Sequence, residues 1–222
     1  MVKQDTIMKQ NLIMGFPLYH QVPATFFAQW LQMERGPVMG AVVVNGSYIT
    51  TAMGMIVENA LNHKDWERLV ILEHDMIPPL DAFEKISRYS PEQAVVGSMY
   101  FNHEAPFNAM VYVEDSTGFP EPISSQTVKE WCDKPALYPC DGLGFGLTSI
   151  ARHVLEDWDP NVPMFGMDKQ FGSHDLWFCH YASQQGYKVY VDSGIVCDHL
   201  TEVPIGLSQN QQAAQVILND EI

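Results

Sequence analysis

Positive charge is what this sequence has least of. Lys and Arg number 12 against 27 Asp and Glu in 222 residues, a formal net charge of −15. The few cations are scattered. No basic stripe forms, which counts against a nucleic-acid duplex as partner without excluding modified DNA. Cysteine is scarce too: Cys132, Cys140, Cys179 and Cys197, with no C-x-x-C pair, so a zinc knuckle is not expected. Cys179 and Cys197 sit inside apolar patterns and read as buried free thiols. No apolar run reaches membrane-spanning length and no signal peptide is visible, so the expectation is a soluble, cytoplasmic chain without a membrane anchor. Low-complexity segments and internal repeats are missing. The glycine-rich segment Asp141 to Gly146 lacks a following Gly-Lys-Ser/Thr, which excludes a P-loop. What is present is a 46% hydrophobic content, enough for one sizeable core. The reading is one α/β domain over residues 1–204 and a tail, 205–222, of weak helical periodicity.

Strands and helices alternate through the first hundred residues. Asn11 to Phe16, Met39 to Val44, Leu69 to Leu72 and Ala94 to Tyr100 read as strands. Between them lie helical patterns from Pro23 to Met33, from Thr50 or Thr51 to about Asn62, and from Pro78-Pro79 to about Arg88. Phe26, Phe27, Trp30 and Leu31 are placed on one helical face; Met55 and Leu80 are placed inward. This order argues for a mainly parallel, nucleotide-binding type of sheet flanked by helices. Beyond it, Asn108 to Val113 reads as a strand, Glu114 to Lys134 as loop, Ser149 to Trp158 and Asp175 to Gln185 as helices, and Lys188 to Val191 and Gly194 to Cys197 as two short strands. The glycines of 141–146 suggest a backbone that passes close to a ligand.

The chemistry starts at Glu73-His74-Asp75, directly after the apolar run Leu69 to Leu72. Open α/β sheets bind ligands at the carboxyl ends of their strands. Two acids two positions apart at such an end repel each other unless a positive group joins them. A divalent cation is the natural partner, and a cation held by carboxylates commonly holds a phosphate. His174-Asp175, at a helix start, and Asp198-His199, after the last strand, complete the set of chemistry-bearing segments.

In order and spacing these segments resemble a small glycosyltransferase of the GT-A fold, close to the family 2 type. Leu69 to Met76 resembles that fold's strand and Asp-x-Asp motif, with Glu in the first acidic place. Asp141 to Gly146, followed by Ile150 and Arg152, is similar to the acceptor-side glycine segment. Ser173 to Cys179 is similar to the segment that usually reads Gly-Glu-Asp, and Gly186 to Asp192 with His199 to the closing strand and its metal-binding histidine. The likeness covers roughly residues 10 to 200. Two positions depart from it: His174 replaces the usual Glu, and Met53-Gly54 stands where related chains often have Arg-Asn.

The resemblance implies a single-domain GT-A (Rossmann-like) fold and transfer of a sugar from a nucleotide-diphosphate sugar, expected to be a UDP-sugar, onto an unidentified acceptor hydroxyl. A small molecule, a protein, a glycolipid precursor or modified DNA all remain open as acceptors. Asp75 and His199 become the expected metal ligands, with Glu73 on the ribose, a bound water or the metal. Mn²⁺ or Mg²⁺ is the expected ion, Mn²⁺ being favoured by an imidazole ligand. Asp175 is the expected general base of an inverting reaction. Pro17 and Tyr19 are placed on the donor nucleotide; Gly142, Gly144, His174 and Trp131 are placed on the acceptor side. Plainer readings stand beside these: Asp75 as a cap for the Pro78-Pro79 helix, Asp175 as an N-cap, Trp177 and Phe178 as core. A non-catalytic nucleotide-sugar or glycan binder and a nucleotidyltransferase are the alternative functions.

Overall fold

A computed structural model describes residues 9–19, 21–169 and 171–201. The strand-helix alternation appears as expected at the start: β1 (Leu12–Leu18), α1 (Ala24–Gln32), β2 (Val38–Asn45), α2 (Ile49–Leu61) and β3 (Arg68–Leu72). Then come β4 (Met76–Ile77), α3 (Ala82–Ile86) and β5 (Val95–Met99). The second half adds β6 (Val111–Glu114), β7 (Pro120–Pro122), α4 (Ser125–Asp133), β8 (Leu137–Pro139), β9 (Gly142–Leu143) and β10 (Leu147–Ala151). It closes with α5 (Arg152–Glu156), α6 (His174–Gln184), β11 (Val189–Val196) and β12 (Asp198–His199). The tail predicted as helical, 205–222, lies outside the described residues.

A seven-stranded sheet in the order β2-β1-β3-β10-β5-β11-β8 forms the centre of this single mixed α/β domain. β2, β1 and β3 pair parallel, as do β5 and β11; β10 and β8 run the other way. β1, β3, β5 and β10 bury almost every side chain on both faces. α2 packs on one face, where Ile56 and Met53 meet Ile13, Leu69 and Ile71. α1 and α3 pack on the other, where Phe26 and Phe83 meet Met14, Phe16 and Leu72. At about 25 cal/mol per Å², burying such rows is the main force holding the layers together. Arg68, the first residue of β3, is fully buried, its guanidinium donating to Ser149 Oγ at 2.9 Å and to the Gln93 carbonyl at 2.6 Å.

Several expectations are corrected. Ser149 to Trp158 is not one helix. Leu147–Ala151 is inserted antiparallel between β3 and β5, and only Arg152–Glu156 is helical. A strand buried on both faces has no alternation to read. The supposed loop Glu114 to Lys134 contains the β6–β7 pairing and α4, whose N-cap Ser124 accepts from Thr127 N–H at 3.1 Å. Two short strands near the end are a single one, β11, with a register shift opposite β5. The helix after Pro78-Pro79 is confined to Ala82–Ile86. α2 begins at Ile49 without a side-chain cap, so neither Thr50 nor Thr51 serves as one. Phe27, Leu31, Met55 and Leu80 are exposed instead of facing the core.

Candidate functional site

β3 ends at Leu72, and Glu73 follows with its N–H donating to the Gly146 carbonyl at 2.9 Å. The chain turns through His74 and Asp75 into β4, and β4 pairs antiparallel with β12, setting His199 opposite Met76. The Leu200 N–H donates to the Asp75 carbonyl at 2.6 Å, which ties the two segments together. Residues distant in sequence are thus held by backbone bonds, and their side chains meet. Asp75 Oδ2 lies 3.4 Å from His199 Nε2.

The other ring nitrogen decides the chemistry. His199 Nδ1 is 2.8 Å from the Phe101 carbonyl, which can only accept, so Nδ1 carries a proton. In the neutral ring Nε2 is then a lone pair facing a carboxylate. Two acceptors at that distance need a proton or a cation between them. Burial opposes the imidazolium, but the bonds to Asp75 and to the Phe101 carbonyl outweigh it and raise the His199 pKa. Burial likewise works to raise the Asp75 pKa, and the His199 bond and charge, helped by His74, bring it below the ordinary value. Asp75 Oδ1 is buried and has no hydrogen-bond partner. A bare, buried carboxylate oxygen is costly unless a ligand occupies it. These donors fit a hard divalent cation: one carboxylate oxygen free, and one imidazole nitrogen oriented by a carbonyl behind it. Among the described residues no third His, Cys, Asp or Glu joins them at metal-ligand distance. The capping role for Asp75 is not seen; its side chain turns to His199.

Glu73 stands apart from this pair. Burial, followed by the charges of Asp75 and Asp175, pushes its pKa up to about 8, with His199 easing it. The sign follows from proton counting. Between its ordinary value of 4.5 and about 8 the folded chain holds a proton that the unfolded chain has released. Stability therefore falls as pH rises through that window. Glu73→Gln, which cannot ionise, is expected to flatten this slope in urea unfolding of the metal-free chain. Parallel slopes for the two proteins would refute the assignment.

The sequence reading put Asp175 at a helix start. It occupies the second position of α6, and Ser173 is the N-cap residue. Its Oδ1 accepts from Ser173 Oγ and, at 2.9 Å, from Leu176 N–H. Its charge reaches Glu73, Tyr100 and Tyr112, and burial together with Asp175 pushes the Tyr112 pKa up to about 12. Asp175 is therefore within electrostatic reach of Glu73 in the acid turn. His174 is buried against Phe145 and Phe165. Burial lowers its pKa more than Asp175 raises it, and its Nε2 has no partner. Phe178 is core, and Trp177 donates to the Pro163 carbonyl at 2.8 Å.

A cleft of about 340 Å³ opens beside Asp75. Pro17, Leu18 and Tyr19 at the end of β1, Ser47 to Ile49 and Ala52 around the start of α2, and Glu73 to Asp75 line it. Tyr48 is 88% exposed there, and sequence reasoning missed it. Its only signal was its place just past a strand end. Met53, at the position of the absent Arg, is fully buried, and Ala52 lines the cleft in its stead. No lysine or arginine is among these lining residues. His103, which carried no readable signal, lies with its ring centroid 4.3 Å from that of His199.

Gly142, Gly144, His174 and Trp131 do not line this cleft. A side chain at Gly144 would fall 2.0 Å from the Tyr100 hydroxyl, and one at Gly142 would fall 2.6 Å from Leu176. The glycines thus admit neighbouring protein side chains. Trp131 stacks on Tyr138, centroids 4.4 Å apart, and Tyr138 belongs to β8 at the far sheet edge.

No family model matches the chain, and neither does any curated protein sequence. Among solved structures it is similar to A197 from STIV, with a TM-score of 0.64 and 17% identity over 90% of this chain and 91% of that one. It is also similar to GalNAc-T7, solved with UDP, GalNAc and Mn²⁺, with a TM-score of 0.52 and 10% identity over 94% of this chain. This match spans 48% of the GalNAc-T7 chain. At these identities the likeness gives the fold, that of a GT-A glycosyltransferase neighbour. No helix of the described residues is long and apolar enough to cross a membrane.

Proposed function

We propose that the chain is a metal-dependent glycosyltransferase that takes a sugar from a nucleotide-diphosphate sugar, with a UDP-sugar as the first donor to test. The observation that carries this is the Asp75–His199 pair, with its bare Oδ1 and carbonyl-oriented imidazole, at the rim of the cleft. Asp75 and His199 would hold Mn²⁺ or Mg²⁺, which supplies electrostatic stabilisation of the diphosphate leaving group. A cleft whose rim carries the Asp75 carboxylate and no lysine or arginine would repel a bare diphosphate, so the ion is what makes the donor welcome. Pro17, Tyr19 and Tyr48 border the nucleoside end, where an exposed tyrosine ring supports stacking on a base. Glu73, near neutrality in its proton affinity, hydrogen-bonds the ribose or a bound water. Asp175 draws the proton from the acceptor hydroxyl, which implies inversion at the anomeric carbon.

The donor half of this reading is tested by thermal unfolding. A UDP-sugar with Mn²⁺ at a hundredfold excess over Kd should stabilise the chain by about 2.7 kcal/mol. For a chain of this size that is a rise in Tm of roughly 5–10 °C. The same rise in excess chelator would remove the metal from the proposal. Binding without turnover across an acceptor panel would favour the non-catalytic alternative.

A further inference from the structure

The sheet has two edges, and they are built differently. β8 is three residues long and ends on Pro139, features that discourage another strand from adding. β2 at the opposite edge is eight residues long, Val38–Asn45, with no proline and no charged side chain. Its only strand partner is β1, so among the described residues its outer backbone groups have no strand to pair with. Uncharged open edges of this length are templates for another strand.

The neighbouring surface matches. In register, Ala41 and Val43 of β2 lie beside Met14 and Phe16 of β1, on the face covered by α1. α1 turns Phe26, Trp30 and Met33 to the core, and its Gln29 donates to the Pro78 carbonyl beside β4. β4 follows β3 after a three-residue turn, away from β2 in the strand order. At 3.6 residues per turn, Phe27 and Leu31 sit about 160–200° round from Gln29, on the flank toward β2. Phe27 is 57% exposed, Leu31 59%, Met39 57% and Val43 56%. Neither Ala24–Gln32 nor Val38–Asn45 carries a charge, in a chain whose net charge is −15.

We infer that β2 and the adjoining flank of α1 form a self-association surface: two copies pair their β2 strands antiparallel about a two-fold axis, extending the sheet from one copy into the other. A second copy is the occupant because an uncharged, apolar edge strand is its own complement under a two-fold axis. The strongly acidic chain can approach itself there without bringing like charges into contact. Four half-exposed apolar side chains per copy and the strand backbone bury on the order of 1,000 Å² in total, the lower bound of a specific interface. The dimer is therefore a reversible one, with a Kd of about 10–100 µM.

Sedimentation equilibrium of the full chain tests this. The wild type should pass from monomer to dimer across about 1–300 µM. Val43→Lys and Leu31→Lys, at exposed positions, should each raise the Kd at least about tenfold. Phe119→Lys, exposed on a distant turn, should leave it unchanged. As a measurement needing no variant, β2 amides of the wild type should gain hydrogen-exchange protection as concentration rises. A monomer throughout that range, a dimer that survives both substitutions, or β2 protection independent of concentration would overturn the inference.

Discussion

Asp75→Ala is expected to lower metal-supported sugar transfer at least about 10³-fold, some 4 kcal/mol of barrier. The loss should fall on the metal. Among the described residues Asp75 contributes the one buried carboxylate oxygen without a hydrogen-bond partner, and the Leu200–Asp75 backbone bond survives truncation of the side chain. The fold should thus remain, with at most a modest fall in stability: truncation removes a buried unsatisfied oxygen but also the Oδ2 contact with His199. Asp75→Asn is the sharper form of the test. It keeps the size of the side chain and removes the charge that neutralises a cation. The measurement is donor hydrolysis and transfer against Mn²⁺ concentration, alongside thermal unfolding. Retention of more than about a tenth of the wild-type rate at saturating Mn²⁺ would sink the metal assignment.

Asp175→Asn should lower kcat about 10²- to 10⁴-fold with the donor KM little changed. The amide oxygen of Asn can still accept from Ser173 Oγ and Leu176 N–H, the two bonds that hold Asp175 at the start of α6. Geometry is then preserved while basicity is lost. A fall in kcat with an intact donor KM therefore points to proton transfer, whereas a rise in donor KM alone would point to binding. The stereochemistry of the product is a second readout. A retained configuration would remove Asp175 from the role of base, because a single displacement inverts the anomeric carbon.

The legible parts of the sequence were those with a local cause. β1, β2, β3 and β5 were each readable as an apolar run bounded by a turn signal. Glu73 and Asp75 were visible because carboxylates rarely follow such a run without a partner. β10 was unreadable as a strand because burial on both faces erased its alternation, and α4 was missed although Ser124 marked its start. His103 had no signal, and Tyr48 only the weak one of standing just past a strand end, since each is a lone residue with no motif around it. The glycines of 141–146 were visible, but not what they approach. Tyr100 and Leu176, which fill the space a side chain would take, come from other parts of the chain.

The sequence by itself determined the α/β class, the acid turn after β3 and the helix start that carries Asp175, because propensity, periodicity and capping act within a few residues. Only the tertiary structure decided that Asp75 meets His199. That contact depends on the β4–β12 pairing and on the Phe101 carbonyl, three segments far apart in the chain. It also decided that Asp75 Oδ1 is left bare, that Glu73 holds its proton up to about 8, and that among the described residues no strand pairs with the outer edge of β2. Burial and through-space charge produce each of these, and neither is a property of neighbouring residues in a sequence.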